Sequence, residues 1–408
     1  MSMQGTATGA IAPTVCLVSA EESGDRLGAA LMRALRARTG ATVRLVGVGG
    51  HEMEAEGLTT LTPIKPVALI GFGGLLRHLP TLVRSLYAAA NAIVASRPDV
   101  LVIIDSPDFT HRIARIVRAR CPSIPIVNYV SPSVWAWRPS RAPTMRAYID
   151  RVMALLPFEP TAMDRLGGPP CSYVGHPLIE QINKLRPNAQ ESERRDADPP
   201  LLLVLPGSRT GEIRRLAPIF GAALALLRER YGAFELVLPT VPHLAIRVRE
   251  VTEGWSIKPR IVVDRDDGRA AFRNARAALA KSGTVTLELA LAGVPMVAAY
   301  RVSYLEAAII RPMAQVNTVI LPNLVTGERF VPEFLQEACT PQNLADALLP
   351  LLSDTPERRR QMEVFSRFDT IMEVGGMAPS ERAAEIVLNL TTTQSYAAAP
   401  HGRSAFAG

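Results

Sequence analysis

Short apolar runs alternate with amphipathic segments along almost the whole chain, in two rounds separated by a polar stretch containing Pro187, Pro199 and Pro200. In the first round Val15–Ser19, Val43–Val48, Val100–Asp105, Pro125–Val130 and Val152–Leu156 read as buried strands, with helical segments such as Gly24–Arg38 and Phe109–Arg120 between them. Leu75, Leu79, Leu82, Leu86, Ala90 and Ile93 recur at helical spacing, which predicts one helix over Leu75–Ser96. In the second round the strands are Leu201–Leu205, Glu235–Val241, Arg260–Val263, Ala277–Lys281 and Val294–Ala299. Its helices are Gly211–Tyr231, Gly268–Arg276, Gly283–Ala292 and Thr340–Leu352. Strands that are apolar throughout, rather than at every second residue, must be covered on both faces. The pattern therefore predicts two α/β halves, each a Rossmann-like parallel sheet wrapped by helices.

The expected boundaries follow from the same alternation. The first half spans 13–182, a linker 183–200, and the second half 201–355. Two helices without a following strand, Pro356–Met372 and Ser380–Leu390, fill 356–390 and either cross back to the first half or exchange with a partner chain. Residues 1–12 and 391–408, rich in small and polar side chains, are expected to be disordered. With 408 residues, 48% hydrophobic and 20% charged, the chain can bury a core in each half. Its four cysteines form no CxxC pair, which excludes a cysteine-stapled secreted module. No apolar run approaches the roughly 20 residues of a spanning helix, and the first thirteen residues lack the basic and apolar parts of a signal peptide. A net charge of +7 permits anionic partners without choosing among them.

In open parallel sheets ligands sit beyond the carboxyl ends of the strands, so the chemistry belongs in the strand-to-helix turns. The first turn, Ser19 to Asp25, carries Glu21, Glu22 and Asp25 where a dinucleotide fold would place a glycine-rich loop, and three carboxylates repel a pyrophosphate. Ser23 or Asp25 is a candidate cap for the next helix, whereas Glu21 precedes the cap position. The turn Asp105-Ser106-Pro107-Asp108 puts two carboxylates around a proline at a strand end. A partly desolvated carboxylate there serves as general base, and a helix cap at Asp108 is the alternative. Tyr129 through Arg138 holds Ser131, Ser133, Trp135 and Trp137, either core aromatics or the lining of a sugar or acyl pocket.

In the second half, Pro206-Gly207-Ser208-Arg209 opens a helix with a flexible backbone, unpaired N–H groups and a fixed charge, which suits a phosphate. Ser282-Gly283-Thr284 repeats the arrangement, and Glu288, one turn on, suits ribose hydroxyls. No His/Cys cluster points to a metal, and Asp264-Arg265-Asp266 reads as a helix cap or a solvated loop rather than a metal-binding DxD. Val67, Leu69, Ile70, Phe72, Leu75 and Leu76 form an uncharged stretch with glycines at 71, 73 and 74, followed by Arg77 and Arg84 on one helix face. This is either a core loop or an apolar lip for a bilayer whose anionic head groups the arginines meet.

Together these strings, with Leu155–Glu159 and Leu321-Pro322-Asn323-Leu324, resemble the lipid-A-disaccharide synthases, a family of bacterial glycosyltransferases, over Val15 to about Leu390. Ala20 and Lys281 depart from the pattern, standing where a glycine and a small apolar residue are commoner. The resemblance implies the glycosyltransferase B fold, two Rossmann-like domains facing a central cleft. It implies an inverting, metal-independent transfer with no cofactor, from UDP-2,3-diacylglucosamine to the 6-hydroxyl of 2,3-diacylglucosamine 1-phosphate. It further implies a homodimer peripheral to the anionic cytoplasmic face of the inner membrane, with no nucleic acid partner. Carried onto this chain, Asp108 is the base, with Asp105 or Glu21 orienting it. Gly207, Ser208, Arg209, Ser282, Gly283 and Thr284 hold UDP, Glu288 the ribose, and Asn323 the diphosphate or sugar. A UDP-sugar 2-epimerase is the competing enzyme. An RNA-binding role is disfavoured because aromatics are only 5% and the arginines are scattered.

Overall fold

The computed structural model describes residues 12–40, 42–62, 75–303, 306–308 and 316–397. They form two compact units, one reaching to Pro177 and resuming at Val374, the other spanning Leu178–Glu373.

The first unit is built on seven parallel strands: β1 (Thr14–Ser19), β2 (Arg44–Val48), β3 (Thr59–Thr60), β4 (Val100–Ile104), β5 (Ile126–Tyr129), β6 (Arg151–Ala154) and β7 (Cys171–Tyr173). Their spatial order is β3-β2-β1-β4-β5-β6-β7. β1 and β4 are buried along their whole length, as continuous apolar runs demand. Helix Leu75–Ser96 has the expected bounds and buries Leu86, Ala90 and Ile93 on one face of the sheet with Ile113 and Val117. Helix Glu22–Thr39 covers the other face through Leu31 and Leu35 and stops at Gly40, whose left-handed φ of 62° lets its N–H reach the Arg36 carbonyl.

The second unit has six parallel strands: β8 (Leu201–Leu205), β9 (Glu235–Pro239), β10 (Arg260–Val262), β11 (Ala277–Lys281), β12 (Met296–Tyr300) and β13 (Glu333–Leu335). They lie in the order β10-β9-β8-β11-β12-β13. The strand order reverses between β1 and β4 in one unit and between β8 and β11 in the other. These are the switch points at which doubly wound sheets leave a crevice for ligands.

Three boundary expectations are corrected. The 183–200 stretch is not a linker but part of the second unit. Helix Ala189–Asp196 starts with a capping box between Asn188 and Glu191. Its Arg195 is buried and donates to the carbonyls of Phe272, Arg273, Ala292 and Gly293. Those carbonyls close two helices, Arg265–Asn274 and Thr284–Leu291, where a cation is favoured. The polar composition that suggested a linker is a set of helix caps. Second, the 356–390 segment divides: Pro356–Ser366 and Phe368–Met372 belong to the second unit. Pro379–Ala397 lies on helix Glu22–Thr39 of its own chain, burying Ala383, Ala384 and Val387. Third, 391–397 continues that last helix, although disorder was expected from 391. Residues 1–11 and 398–408 lie outside the described residues.

Candidate active site

At the first switch point Ser19 pairs with Ile104, so β1 and β4 end level and their two turns lie side by side. Gly24 lets the helix seat against the sheet, since a Cβ there would stand 2.5 Å from Ser19 Oγ and 3.2 Å from the Ile104 carbonyl. The turns are joined by Ser23 Oγ, which donates to Asp105 Oδ2 at 3.0 Å, while the Ser106 N–H donates to Asp105 Oδ1 at 2.8 Å. Asp105 and Ser106 both have left-handed backbones, with φ of 54° and 45°. Two consecutive non-glycine residues in that region store strain of the kind that gathers at functional turns. Glu21 is corrected from a residue before the cap to the N-cap of helix Glu22–Thr39 itself, since the helix starts at Glu22; it is exposed and makes no side-chain cap.

Asp25 does something the sequence did not suggest. Buried, it accepts from the N–H groups of Gly50, Glu52 and Met53 and so caps the neighbouring helix His51–Ala55 instead of its own.

Asp108 needs a correction of environment. It is neither desolvated nor a cap: Ser106 holds the N-cap position, Pro107 follows, and the Asp108 side chain is 78% exposed with Oδ1 2.9 Å from Arg141 Nη2. Beneath this turn His111 is buried against Tyr148 Oη at 3.1 Å and Asn128 Oδ1 at 3.3 Å. Burial first, then the nearby Arg141, hold its pKa down at about 4, so the imidazole is neutral at physiological pH.

The tryptophan string splits into an inner and an outer part. Val130, at φ 81°, throws the chain off the end of β5. Ser131 is buried, while Ser133 and Trp137 are exposed, Trp137 beneath the Arg138 guanidinium at 4.4 Å. Trp135 turns inward, edge-on to Phe158, and its indole N–H donates to Glu159 Oε1 at 3.2 Å. Glu159 is almost fully buried, and its Oε2 also accepts from the Leu155 and Leu156 N–H groups at 3.1 and 3.0 Å. Burial nonetheless pushes its pKa up to about 7. Neither Glu159 nor Arg141 has a role that is legible in the sequence, since the partners of Trp135 and Asp108 lie 24 and 33 positions away.

At the second switch point Leu205 pairs with Ala280, which sets the 206–212 turn beside the 281–284 turn. Gly207 has φ 126°, and a Cβ on it would lie 2.5 Å from Glu212 Oε2. Arg209 is 80% exposed at the N-cap of helix Thr210–Tyr231. Glu212, in the first turn of that helix, accepts from the Ser208 N–H at 3.1 Å and from Lys281 Nζ at 3.1 Å. Its distance to Arg209 Nη1 is 3.8 Å. Ser282 is 5% exposed, and its hydroxyl is a buried group without a hydrogen-bond partner. Gly283 is the N-cap of helix Thr284–Leu291, whose Glu288 has its pKa raised by burial against the opposing pull of Arg265 and Arg269.

Asn323 is corrected from ligand contact to brace. It is buried, its Nδ2 donates to the Val331 carbonyl and Thr318 Oγ1, and its Oδ1 accepts from the Phe330 and Val331 N–H groups. Both donors and both lone pairs of the amide are thereby used. Asp264 is the helix cap expected of it, accepting from the Asp266 and Asp267 N–H groups.

Among the described residues no three His, Cys, Asp or Glu side chains gather as metal ligands, and no helix is long and apolar enough to cross a membrane. Of the apolar stretch, Val67, Leu69, Ile70 and Phe72 lie outside the described residues. Leu75, Leu76 and Arg77 open the helix that continues past exposed Val83, Arg84 and Tyr87.

A family model described as lipid-A-disaccharide synthetase matches residues 15–387. The lipid-A-disaccharide synthase of Rhodopseudomonas palustris (strain BisB18) is 61% identical over 376 residues, 92% of this chain and 95% of the relative. The calicheamicin glycosyltransferase CalG4 superposes with a TM-score of 0.58 at 18% identity, over 94% of this chain and 99% of its own. The UDP-GlcNAc 2-epimerase from Neisseria meningitidis, bound to UDP-GlcNAc, superposes at 0.59 and 12% identity, over 93% of this chain and 99% of its own. The two structures speak for the fold, two parallel-sheet domains of the glycosyltransferase B type.

Proposed function

The chain belongs to the lipid-A-disaccharide synthase family of glycosyltransferases, and from that premise we propose how its residues divide the transfer. The enzyme uses a UDP-sugar donor and a lipid acceptor in lipid A biosynthesis. The epimerase alternative is not favoured, since the epimerase likeness is one of fold at 12% identity and the synthase likeness runs to 61%.

One observation carries the residue assignment: the two switch points have opposite chemistry. Carboxylates Glu21, Asp105 and Asp108 line the turns after β1 and β4. The ends of β8 and β11 and the turns after them carry Arg209, the unpartnered Ser282 hydroxyl, and Lys281 and the Ser208 N–H, the last two engaged by Glu212. An inverting transfer needs both sets. The acceptor 6-hydroxyl gives its proton to Asp108, and its oxygen forms a bond to the anomeric carbon. The bond from that carbon to the diphosphate oxygen breaks with its electron pair, and UDP departs. Arg141 fixes the orientation of the Asp108 carboxylate, and Ser23 and Asp105 hold the strained turn that presents it.

Gly207, Ser208, Arg209, Ser282, Gly283 and Thr284 hold the diphosphate, a role that needs no metal or cofactor, and Glu288 takes the ribose. Exposed Ser133 and Trp137 offer contacts to the acceptor sugar, with Ser131 and Trp135 shaping the turn behind them. Incubating the protein with UDP-2,3-diacylglucosamine and 2,3-diacylglucosamine 1-phosphate yields UDP and a β-1,6 disaccharide phosphate, with or without a chelator. Loss of activity with the chelator would reject the metal-free mechanism, and turnover of UDP-N-acetylglucosamine alone would reject the transfer.

The acyl chains need an apolar surface, for which the apolar composition of Val67–Leu76 is suited, and Arg77 and Arg84, next along the sequence, suit anionic head groups. Exposed Val83 and Tyr87 beside Arg84 support this reading. Leu69→Glu with Leu75→Glu frees the protein from anionic vesicles in sedimentation, and unchanged sedimentation would defeat the idea. The homodimer rests on the family resemblance alone and is tested by light scattering across a dilution series.

A further inference from the structure

Lys281 is one of the two positions, with Ala20, at which this chain departs from the pattern it otherwise resembles, and its surroundings give the departure a purpose. The side chain leaves the last residue of β11 and is only 17% exposed. Its Nζ lies 5.3 Å from the centre of the Tyr300 ring and within 3.2 Å of where a Cβ on Gly283 would be. Its acidic partner is Glu212, at 3.1 Å, itself 13% exposed. The same carboxylate accepts the Ser208 N–H and lies 3.8 Å from Arg209. In the ligand-free chain one carboxylate therefore engages an N–H group and two cations, the combination that binds a phosphate.

We propose that Glu212 and Lys281 form an exchangeable ion pair: Glu212 holds the ammonium in place while the site is empty, and Lys281 passes to the diphosphate when UDP arrives. This rests on the assignment of UDP to these two turns. Three features favour exchange over a fixed brace. A diphosphate carries more charge than a carboxylate and competes for the same cation. An ammonium has three donors on a flexible stem and can reorient without disturbing the backbone. The Ser282 hydroxyl, next in sequence, is buried without a partner, so the turn retains bonding capacity that Glu212 does not use. Lys281 is then a second diphosphate cation beside Arg209, and Glu212 a positioning residue that competes with the product's negative charge.

The test is calorimetric titration of UDP into the full chain and into Lys281→Met, Glu212→Gln, the double variant and Arg209→Ala, each first checked for an unchanged melting transition. Exchange predicts that Lys281→Met weakens UDP about tenfold, the loss of one charge-assisted contact. It also predicts that Glu212→Gln tightens UDP about threefold or more, because a competing anion is removed from partly exposed surroundings. That gain must shrink in the double variant, where Glu212→Gln releases only the Ser208 N–H and Arg209. Should Lys281→Met not fold, Lys281→Arg takes its place and keeps UDP affinity within about threefold of wild type; a larger loss counts against the proposal. If Glu212→Gln weakens UDP as much as Lys281→Met does, the pair is a fixed brace and the exchange is overturned. If Lys281→Met binds UDP like wild type while Arg209→Ala does not, Lys281 is no diphosphate contact and the UDP assignment stands. If neither variant affects UDP, the assignment of UDP to these turns is itself wrong.

Discussion

Glu159 makes the stability of the first unit depend on pH in a direction that its hydrogen bonds alone would not give. Three donors surround the carboxylate, yet burial outweighs them and moves its pKa from 4.5 to about 7. A folded pKa above the unfolded one means that the native state keeps a proton that the unfolded chain releases between those two values. The stabilisation linked to this proton is complete below pH 4.5 and lost as the pH rises through about 7. At about 1.4 kcal/mol per pH unit, the window amounts to about 3 to 4 kcal/mol. Glu159→Gln removes the titration. Its amide oxygen still accepts from the Leu155 and Leu156 N–H groups, and its NH₂ meets the Trp135 indole N–H, a pH-independent offset. Urea unfolding of both proteins from pH 5 to pH 8 isolates the effect. The stability of wild type minus variant falls with rising pH by about 2 to 3 kcal/mol and then levels off. Tryptophan emission of the native wild type shifts over the same range as the Trp135 bond changes. A difference that is flat, or that grows with pH, would mean that the hydrogen bonds prevail over burial, and the reasoning would be refuted.

Arg195→Met, which removes the donor to four helix-end carbonyls, lowers urea-measured stability by about 3 kcal/mol or more while leaving UDP affinity within twofold. A change under about 1 kcal/mol would show that water replaces the guanidinium without cost. Gly207→Ala forces a Cβ into a left-handed backbone 2.5 Å from the Glu212 carboxylate, costing about 1 to 3 kcal/mol locally. UDP binding, followed by calorimetry, weakens about tenfold or more. Asn323→Ala loses four hydrogen bonds and lowers the melting temperature by several degrees, about 2 kcal/mol. UDP affinity of the folded fraction changes little, in contrast to a residue that touches the ligand.

Most strands of both sheets were legible because they are largely apolar and bounded by turn residues. The edge strands β3, β7 and β13, of two or three residues each, carry no usable periodicity and went unseen. Helix Ala189–Asp196 was misread because its arginines and glutamates look solvated in sequence, whereas Arg195 is spent on carbonyls some eighty to a hundred positions away. Separation in sequence likewise hid Arg141 beside Asp108, 33 positions away, and Lys281 beside Glu212. Glu212 did have a local signal, since a glutamate three residues after the N-cap commonly reaches back to the turn. The turns themselves were found correctly because loop chemistry is local. The Asp264 cap was legible for the same reason, whereas the partner of Asp25 was not, since Asp25 bonds across to residues 50, 52 and 53.

The central claim is that proton removal and UDP binding reside on different units, at Asp108 and at the Arg209 turn. The most direct measurement pairs turnover with UDP affinity for Asp108→Asn and Arg209→Ala, both shown to be folded. Asp108→Asn should lose about a hundredfold or more in kcat and bind UDP like wild type, while Arg209→Ala should lose about tenfold in UDP affinity. Near-normal turnover by Asp108→Asn, or loss of UDP binding in that variant with none in Arg209→Ala, would contradict the account.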